Sequence, residues 1–228
     1  MKRRYTDLVP STLIGLCFSF SMYAQVFEAS KIQVRYADGI VTKQTTAGDI
    51  VTFNQKNTAQ VFDSKEIPLD ATALPGGGFA TGAESTAVIV VPGAGECRMM
   101  PDTQIKVPAK TGSGHSLELL KGKLFIDISA EEIKKRGGAS FRLKTPAALL
   151  AVKGTQFYAG SSTLQDSFGV HTGSIGVIGT TTRITTNLEQ GLVLDVSRKS
   201  QISRQMSPEE LNSNSNYQWL KALPFVFN

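Results

Sequence analysis

The sequence predicts an all-β fold, a β-sandwich or β-roll of stacked hairpins that carries two short helices. Three observations lead there. Short runs in which apolar and polar residues alternate recur from Ile32 to about Ile202. The 21 glycines are scattered among those runs, which suits many turns better than a few long helices. Helix-start signals stand out at only two places, Ser129 and Ser207. With 41% hydrophobic and 19% charged residues in 228, the chain has apolar surface enough for a core and is not a disordered composition.

The elements follow in order. Ile32, Val34 and Tyr36 alternate with Lys31, Gln33 and Arg35, so a strand here has one apolar and one wet face. Asp38-Gly39 is a strong short hairpin signal, with Ile40 and Val41 opening the return strand. Thr46 to Asp49 reads as a further turn before Ile50, Val51 and Phe53. Residues 54–66 are polar and indistinct, and Pro75-Gly76-Gly77-Gly78 reads as a break between an N-terminal β element and the main body. Ala87 to Val91 is a continuous apolar run, as in a strand buried on both faces. Alternation resumes at Ile105 and Val107, at Leu117 and Leu119, and at Leu124, Ile126 and Ile128. Ser129 with Glu132 has capping-box spacing, and Gly137-Gly138 ends a short helix over 130–136. Strands return from Ser140. Ser207-Pro208-Glu209-Glu210 opens a second short helix, with proline in the first turn. Trp219, Leu220, Leu223 and Phe225 are expected to dock the tail by packing. The segmentation is therefore 1–24, 25–75, 76–203 and 204–228.

A weak repeat runs through the β region: an apolar residue, two free positions, a glycine, then alternating apolar residues. It spans Leu119 to Gly122, Val170 to Gly173 and Leu188 to Gly191. The glycine is expected at positive φ in a tight turn that feeds a half-buried strand. The irregular spacing excludes a strict solenoid.

The first 24 residues read as a secretory signal. Lys2, Arg3 and Arg4 precede an apolar stretch from Leu8 to Phe20, too short and interrupted for a bilayer span, and Ala24 is the expected cleavage point. An uncleaved anchor is the alternative; Leu16 before Cys17 argues against a lipid-attachment site. Cleavage removes three basic residues and Asp7 and takes the net charge from +5 to +3, too little to argue for a nucleic-acid partner. It also leaves Cys97 alone, so no intramolecular disulfide is expected.

The search for chemistry returns no catalytic, cofactor-binding or metal-ligating residue. His115 and His171 are the only histidines and share no metal-ligand spacing with Cys97. Cys97 with His115 could be written as nucleophile and base, but no local signature supports the pair. Serines lack a Gly-x-Ser-x-Gly elbow, and Gly76–Gly78 lacks the Gly-Lys-Ser/Thr of a phosphate loop. Asp127 and Asp195 could be paired carboxylates, though strand alternation alone explains an outward aspartate. His171 is expected as a surface residue of a hairpin turn. The run Lys134, Lys135, Arg136, and the looser set Arg198, Lys199, Arg204, read as solvated faces.

The stretch Phe141-Arg142-Leu143-Lys144-Thr145-Pro146, then Ala147 to Val152, then Lys153-Gly154-Thr155-Gln156-Phe157, resembles the signature of the FecR domain. Thr81-Gly82, Pro101-Asp102-Thr103, Gly122 and Gly173 extend the resemblance over about 78–197. Its physics is that Pro146 stops a strand, 147–152 sits between two layers, Gly154 bends the chain and Phe157 returns to the core. The resemblance implies contacts made outside the cytoplasm. The best-known members add a cytoplasmic segment that controls a sigma factor; so few residues precede the apolar segment here that such a segment is not expected. These features predict a non-enzymatic, exported, periplasmic or extracellular binding module without cofactors. Its partner is expected to be an envelope protein or polysaccharide, with signal sensing as a role and strand addition as a contact mode; the alternatives are a polysaccharide-binding or remodelling protein and a self-associating structural β domain.

Overall fold

The computed structural model describes residues 32–44, 50–55, 72–73, 76–91, 93–108, 116–135, 137 and 140–213. Residues 1–24, read as a signal, the turn expected at Thr46–Asp49, His115 and the residues around Trp219 lie outside them.

The chain zigzags between two layers. Strand β1 (Ile32–Gln44) starts in a first sheet and ends in a second, where it pairs with β2 (Ile50–Gln55); β3 (Thr72–Ala73) pairs with its start. β4 (Gly78–Thr81) lies in the second sheet, and β5 (Thr86–Val91) and β6 (Gly95–Met99) form a hairpin in the first. β7 (Gln104–Lys106) returns to the second. β8 (Ser116–Ile128) begins there and finishes in the first. After α1 (Ala130–Lys135), anchored by buried Ile133, the hairpin β9 (Phe141–Lys144) and β10 (Ala148–Val152) lies in the second sheet. β11 (Gln156–Ser161) and β12 (Asp166–Thr172) pair in the first. β13 (Ser174–Gly179) and β14 (Thr185–Glu189) pair in the second. β15 (Leu192–Val196) and β16 (Gln201–Gln205) close the first, and α2 (Pro208–Asn212) follows.

The first sheet thus runs β3-β1-β5-β6-β8-β11-β12-β15-β16, and the second β2-β1-β4-β7-β8-β9-β10-β13-β14. All pairings are antiparallel except β8 with β9. The predicted all-β class and both short helices are present.

One expectation is overturned. Asp38-Gly39 is not a hairpin turn: Gly39, at φ +82°, is a corner inside the unbroken β1. An Asp-Gly pair signals positive φ, and a strand that bends from one layer to another uses that conformation as readily as a turn does. Gly122 (φ +91°) is the matching corner of β8, and Gly154, Gly173 and Gly191 hold positive φ at the later crossings. A neighbouring hydroxyl seals three of these corners. The Ile40 amide donates to Ser85 Oγ at 2.8 Å, the Lys123 amide to Thr103 Oγ1 at 3.0 Å, and Thr155 Oγ1 donates to the Ser174 carbonyl at 2.9 Å. Backbone groups that lose their ladder partners at a bend regain them there. The glycine repeat read from sequence is therefore a repeat of corners.

The core lies between the layers. Ile89, Cys97, Ile126, Phe157 and Val170 form one inward row of the first sheet, each fully buried. Leu117, Leu143, Leu150 and Val177 form a row of the second. A second expectation fails here: 147–152 does not sit between two layers. Ala148, Leu150 and Val152 face the core while Leu149 and Ala151 face solvent, because β10 packs against the other sheet on one side only. Ala87 to Val91 is buried on both faces as expected, since the first sheet carries a second apolar layer on its outside.

Candidate functional site

That second layer holds the main concentration of interacting titratable groups. Register places Val88, Arg98, Phe125, Tyr158, Gly169, Val193 and Arg204 in one outer row across the first sheet. Gly169 leaves a floor for the Tyr158 ring, which occupies the space a β-carbon there would need. Val88, Phe125, Tyr158, Val193 and Met206 pack together over it. Lys123 Nζ sits 5.0 Å from the Phe125 ring centroid and 4.5 Å from that of Tyr158, a cation–π arrangement.

Helix α2 closes over this row. Its N-cap Ser207 and Glu210 form a capping box, as the sequence predicted: the Glu210 amide donates to Ser207 Oγ at 3.2 Å, and the Ser207 amide to Glu210 Oε2 at 2.8 Å. The same carboxylate accepts from Tyr158 Oη at 2.8 Å and from both terminal nitrogens of Arg204 at 2.7 and 2.8 Å. His171 Nε2 lies 2.8 Å from the Glu210 carbonyl, which fixes that nitrogen as the donor, and 3.1 Å from Ser213 Oγ. Arg204 Nε also reaches Asp195 Oδ2 at 3.4 Å, and Asp195 accepts from Ser167 Oγ.

The charges respond to this packing. The Arg204 guanidinium, with the hydrogen bonds from Ser207 and Tyr158, holds the Glu210 carboxyl well below the usual carboxylate range. Burial pushes the Tyr158 phenol above its ordinary value, and its hydrogen bond to Glu210 adds to this. Burial lowers His171 and Lys123. A carboxylate has about four acceptor positions, and four donors occupy those of Glu210. It has none left to take a substrate proton. The cluster is a latch that fastens α2 to the sheet.

Among the described residues, those considered as chemistry are not brought together, and the pairing of Cys97 with His115 lies outside them. Cys97 is buried in the core, and burial raises its thiol well above the ordinary range, with Glu96 and Asp127 adding to the effect. Asp127, on β8, accepts from Gln156 of β11, while Asp195 sits on β15 with β11 and β12 between the two aspartates. Three strand spacings of about 4.8 Å exceed the roughly 9.5 Å upper separation of glycosidase carboxylates. His171 is a buried residue of β12, not a turn residue; its placement under α2 depends on a partner 39 residues away, which local patterning does not reveal. Among the described residues no group of three or more His, Cys, Asp or Glu could hold a metal ion.

What stays accessible is a set of surfaces. Among the described residues β14 and β16 each pair on one side only, and both edges lie on the same flank. Gln201 ties them: it accepts from Thr186 Oγ1 at 2.9 Å and donates to Thr182 Oγ1 at 2.8 Å and to the Ile184 carbonyl at 3.0 Å. Neither strand carries the lysine or proline that commonly blocks an open edge, and Ile202 on β16 is 61% exposed.

Residues 78–176 match the family model described as FecR protein. No curated protein matches the chain. Two crystal structures of a candidate anti-sigma factor from Parabacteroides distasonis share the fold. One, at 2.50 Å, has a TM-score of 0.50 at 14% identity over 60% of this chain and 62% of that one. The other, at 1.65 Å, has a TM-score of 0.50 at 15% identity over 63% and 64%. The present chain thus spans less than two thirds of their length. The zigzag continues on both sides of the family match, through β1 to β3 before it and β14 to β16 after it.

Proposed function

We propose, from the match of residues 78–176 to the FecR family model, that the protein is a non-catalytic, exported binding module that takes part in signalling in the cell envelope by holding a protein partner. One observation carries the reading. The fold ties Tyr158, Arg204 and Glu210 into an internal latch and, among the described residues, leaves two strand edges, β14 and β16, open on one flank. An open edge offers backbone donors and acceptors in strand register, the basis of β-strand addition. The family match and the fold shared with candidate anti-sigma factors support a place in signalling. Export rests on the apolar segment after Lys2, Arg3 and Arg4. A polysaccharide partner is less well supported, because Phe125 and Tyr158 are buried and offer no stacking platform.

The test is a photo-reactive phenylalanine at exposed Ser203 of β16 in the full chain, expressed in its own host, with Glu131 of α1 as control position. A discrete protein adduct from Ser203 and none from Glu131 is expected. Adducts to polysaccharide only, or no adduct at all, would overturn the reading.

A further inference from the structure

The two outer faces of the molecule are treated differently by the chain. That of the first sheet carries an apolar row, and α2 covers it with Tyr158, Arg204 and Glu210 as fastenings. That of the second sheet also carries apolar residues, and they stay in solvent. Leu149 of β10 stands directly across from Ile178 of β13, at 41% and 40% exposure. The next outward pair along the same strands is Ala151 and Gly176. Small residues there keep the surface flat beside the two large ones. The strand pattern does not require an apolar residue at any of these positions, since they face away from the core.

The border of this patch is basic. Lys144 is the cross-strand neighbour of Leu149, and Arg142 that of Ala151. Exposed Lys153 follows β10. Lys106 lies two strands beyond β9, on β7, paired in register with Glu118 of β8. Glu118 already accepts from Lys144 at 2.7 Å. Arg142 is opposed in register by Ser116 and Ala151, with Gly176 and Asn187 beyond Ala151; the acidic residues of this face are Glu118, held by Lys144, and Glu189, opposite Ser174 at the far end of β14.

We propose that the outer face of β9, β10 and β13 is a docking surface for a protein whose contact surface is apolar at its centre and acidic at its rim. The inference rests on the envelope-module reading above and assigns it a second contact, next to the open edge of β14. Charge disfavours the simplest occupant. Two copies of this chain meeting through the same face would bring two basic borders into one interface, and like charges gathered there cost affinity. A polyanion would satisfy the basic border but not the apolar centre, so a protein fits both parts.

The test uses the full chain in its own host with a photo-reactive phenylalanine at Thr185, the cross-strand neighbour of Ile178, which leaves the patch itself intact. One discrete protein adduct is expected. Its yield should fall about tenfold when Leu149→Thr and Ile178→Thr are introduced together, the loss expected for removing central apolar anchors. It should also fall with R142E/K153E, whose exposed side chains leave the core untouched. An adduct to a second copy, to lipid or to polysaccharide overturns the proposal, as does a yield that neither pair of substitutions changes. If Ser203 yields a protein adduct and Thr185 none, this face is wrong and the module reading stands; if neither yields one, both fall.

Discussion

Glu210 joins three parts of the chain through one carboxylate: its own helix cap, the edge strand through Arg204, and a tyrosine 52 residues away. Its folded acidity is strengthened relative to an ordinary glutamate. The stability it contributes is therefore complete above the unfolded carboxyl pKa, about 4.3, and is lost as pH falls below that. Urea unfolding at pH 7 and pH 3 should show the native chain losing more stability on acidification than E210Q does. At pH 7, E210Q should cost about 1–2 kcal/mol, and Tyr158→Phe about 1 kcal/mol, the net worth of a hydrogen bond to a charged and partly exposed group. Cys97 offers a second check at this scale. Buried and with its thiol held protonated, it should react with a disulfide reagent only at the rate of unfolding in a Cys17→Ser chain. Fast labelling of the folded protein would contradict its placement.

The corners are the devices that make two sheets from one chain. At Gly122 two costs meet any side chain: φ is +91°, and a β-carbon would overlap the Thr103 backbone. At Gly191 only the first applies, since φ is +80° and nothing lies within 4 Å. Gly191→Ala should therefore cost about 1–2 kcal/mol, the left-handed penalty for an L-residue. Gly122→Ala should cost clearly more, because backbone must move to admit it. Thermal or urea unfolding of the two variants side by side separates backbone conformation from crowding; equal losses would mean that the Thr103 contact does not matter. The repeat of glycines was legible in sequence because a positive-φ position leaves a residue-type mark. The hydroxyls of Ser85, Thr103 and Thr155 were not, since serine and threonine are common at turns for many reasons and their partners here are 19 to 45 residues away.

Across the whole molecule the stability comes from one sealed interior between the layers, with the α2-covered row as a smaller outer core. Phe157 lies fully buried in the interior, between Ile126 and Val170 in register. Phe157→Ala should cost about 3–5 kcal/mol, measurable as a lower urea midpoint, while Phe157→Leu, which leaves a smaller cavity, should recover part of it. The extent of the fold was readable in advance from alternation between Ile32 and Ile202. Spacing gave the expectation about the carboxylates and the cysteine, and their positions needed the structure: Asp127 and Asp195 sit on strands separated by two others, and Cys97 lies in the core.

The sequence by itself determined the all-β class, the positions of both short helices and three of the points where the backbone takes positive φ, Gly122, Gly173 and Gly191. Each is written in local chemistry: period-two alternation, a cap with its glutamate three residues on, a glycine. Only the tertiary structure decided that Asp38-Gly39 is a corner, that Tyr158 and His171 fasten α2, and that Leu149 and Ala151 face solvent. Alternation shows which residues share a face of a strand. It does not show whether another layer covers that face, and both the latch and the bare surface depend on that.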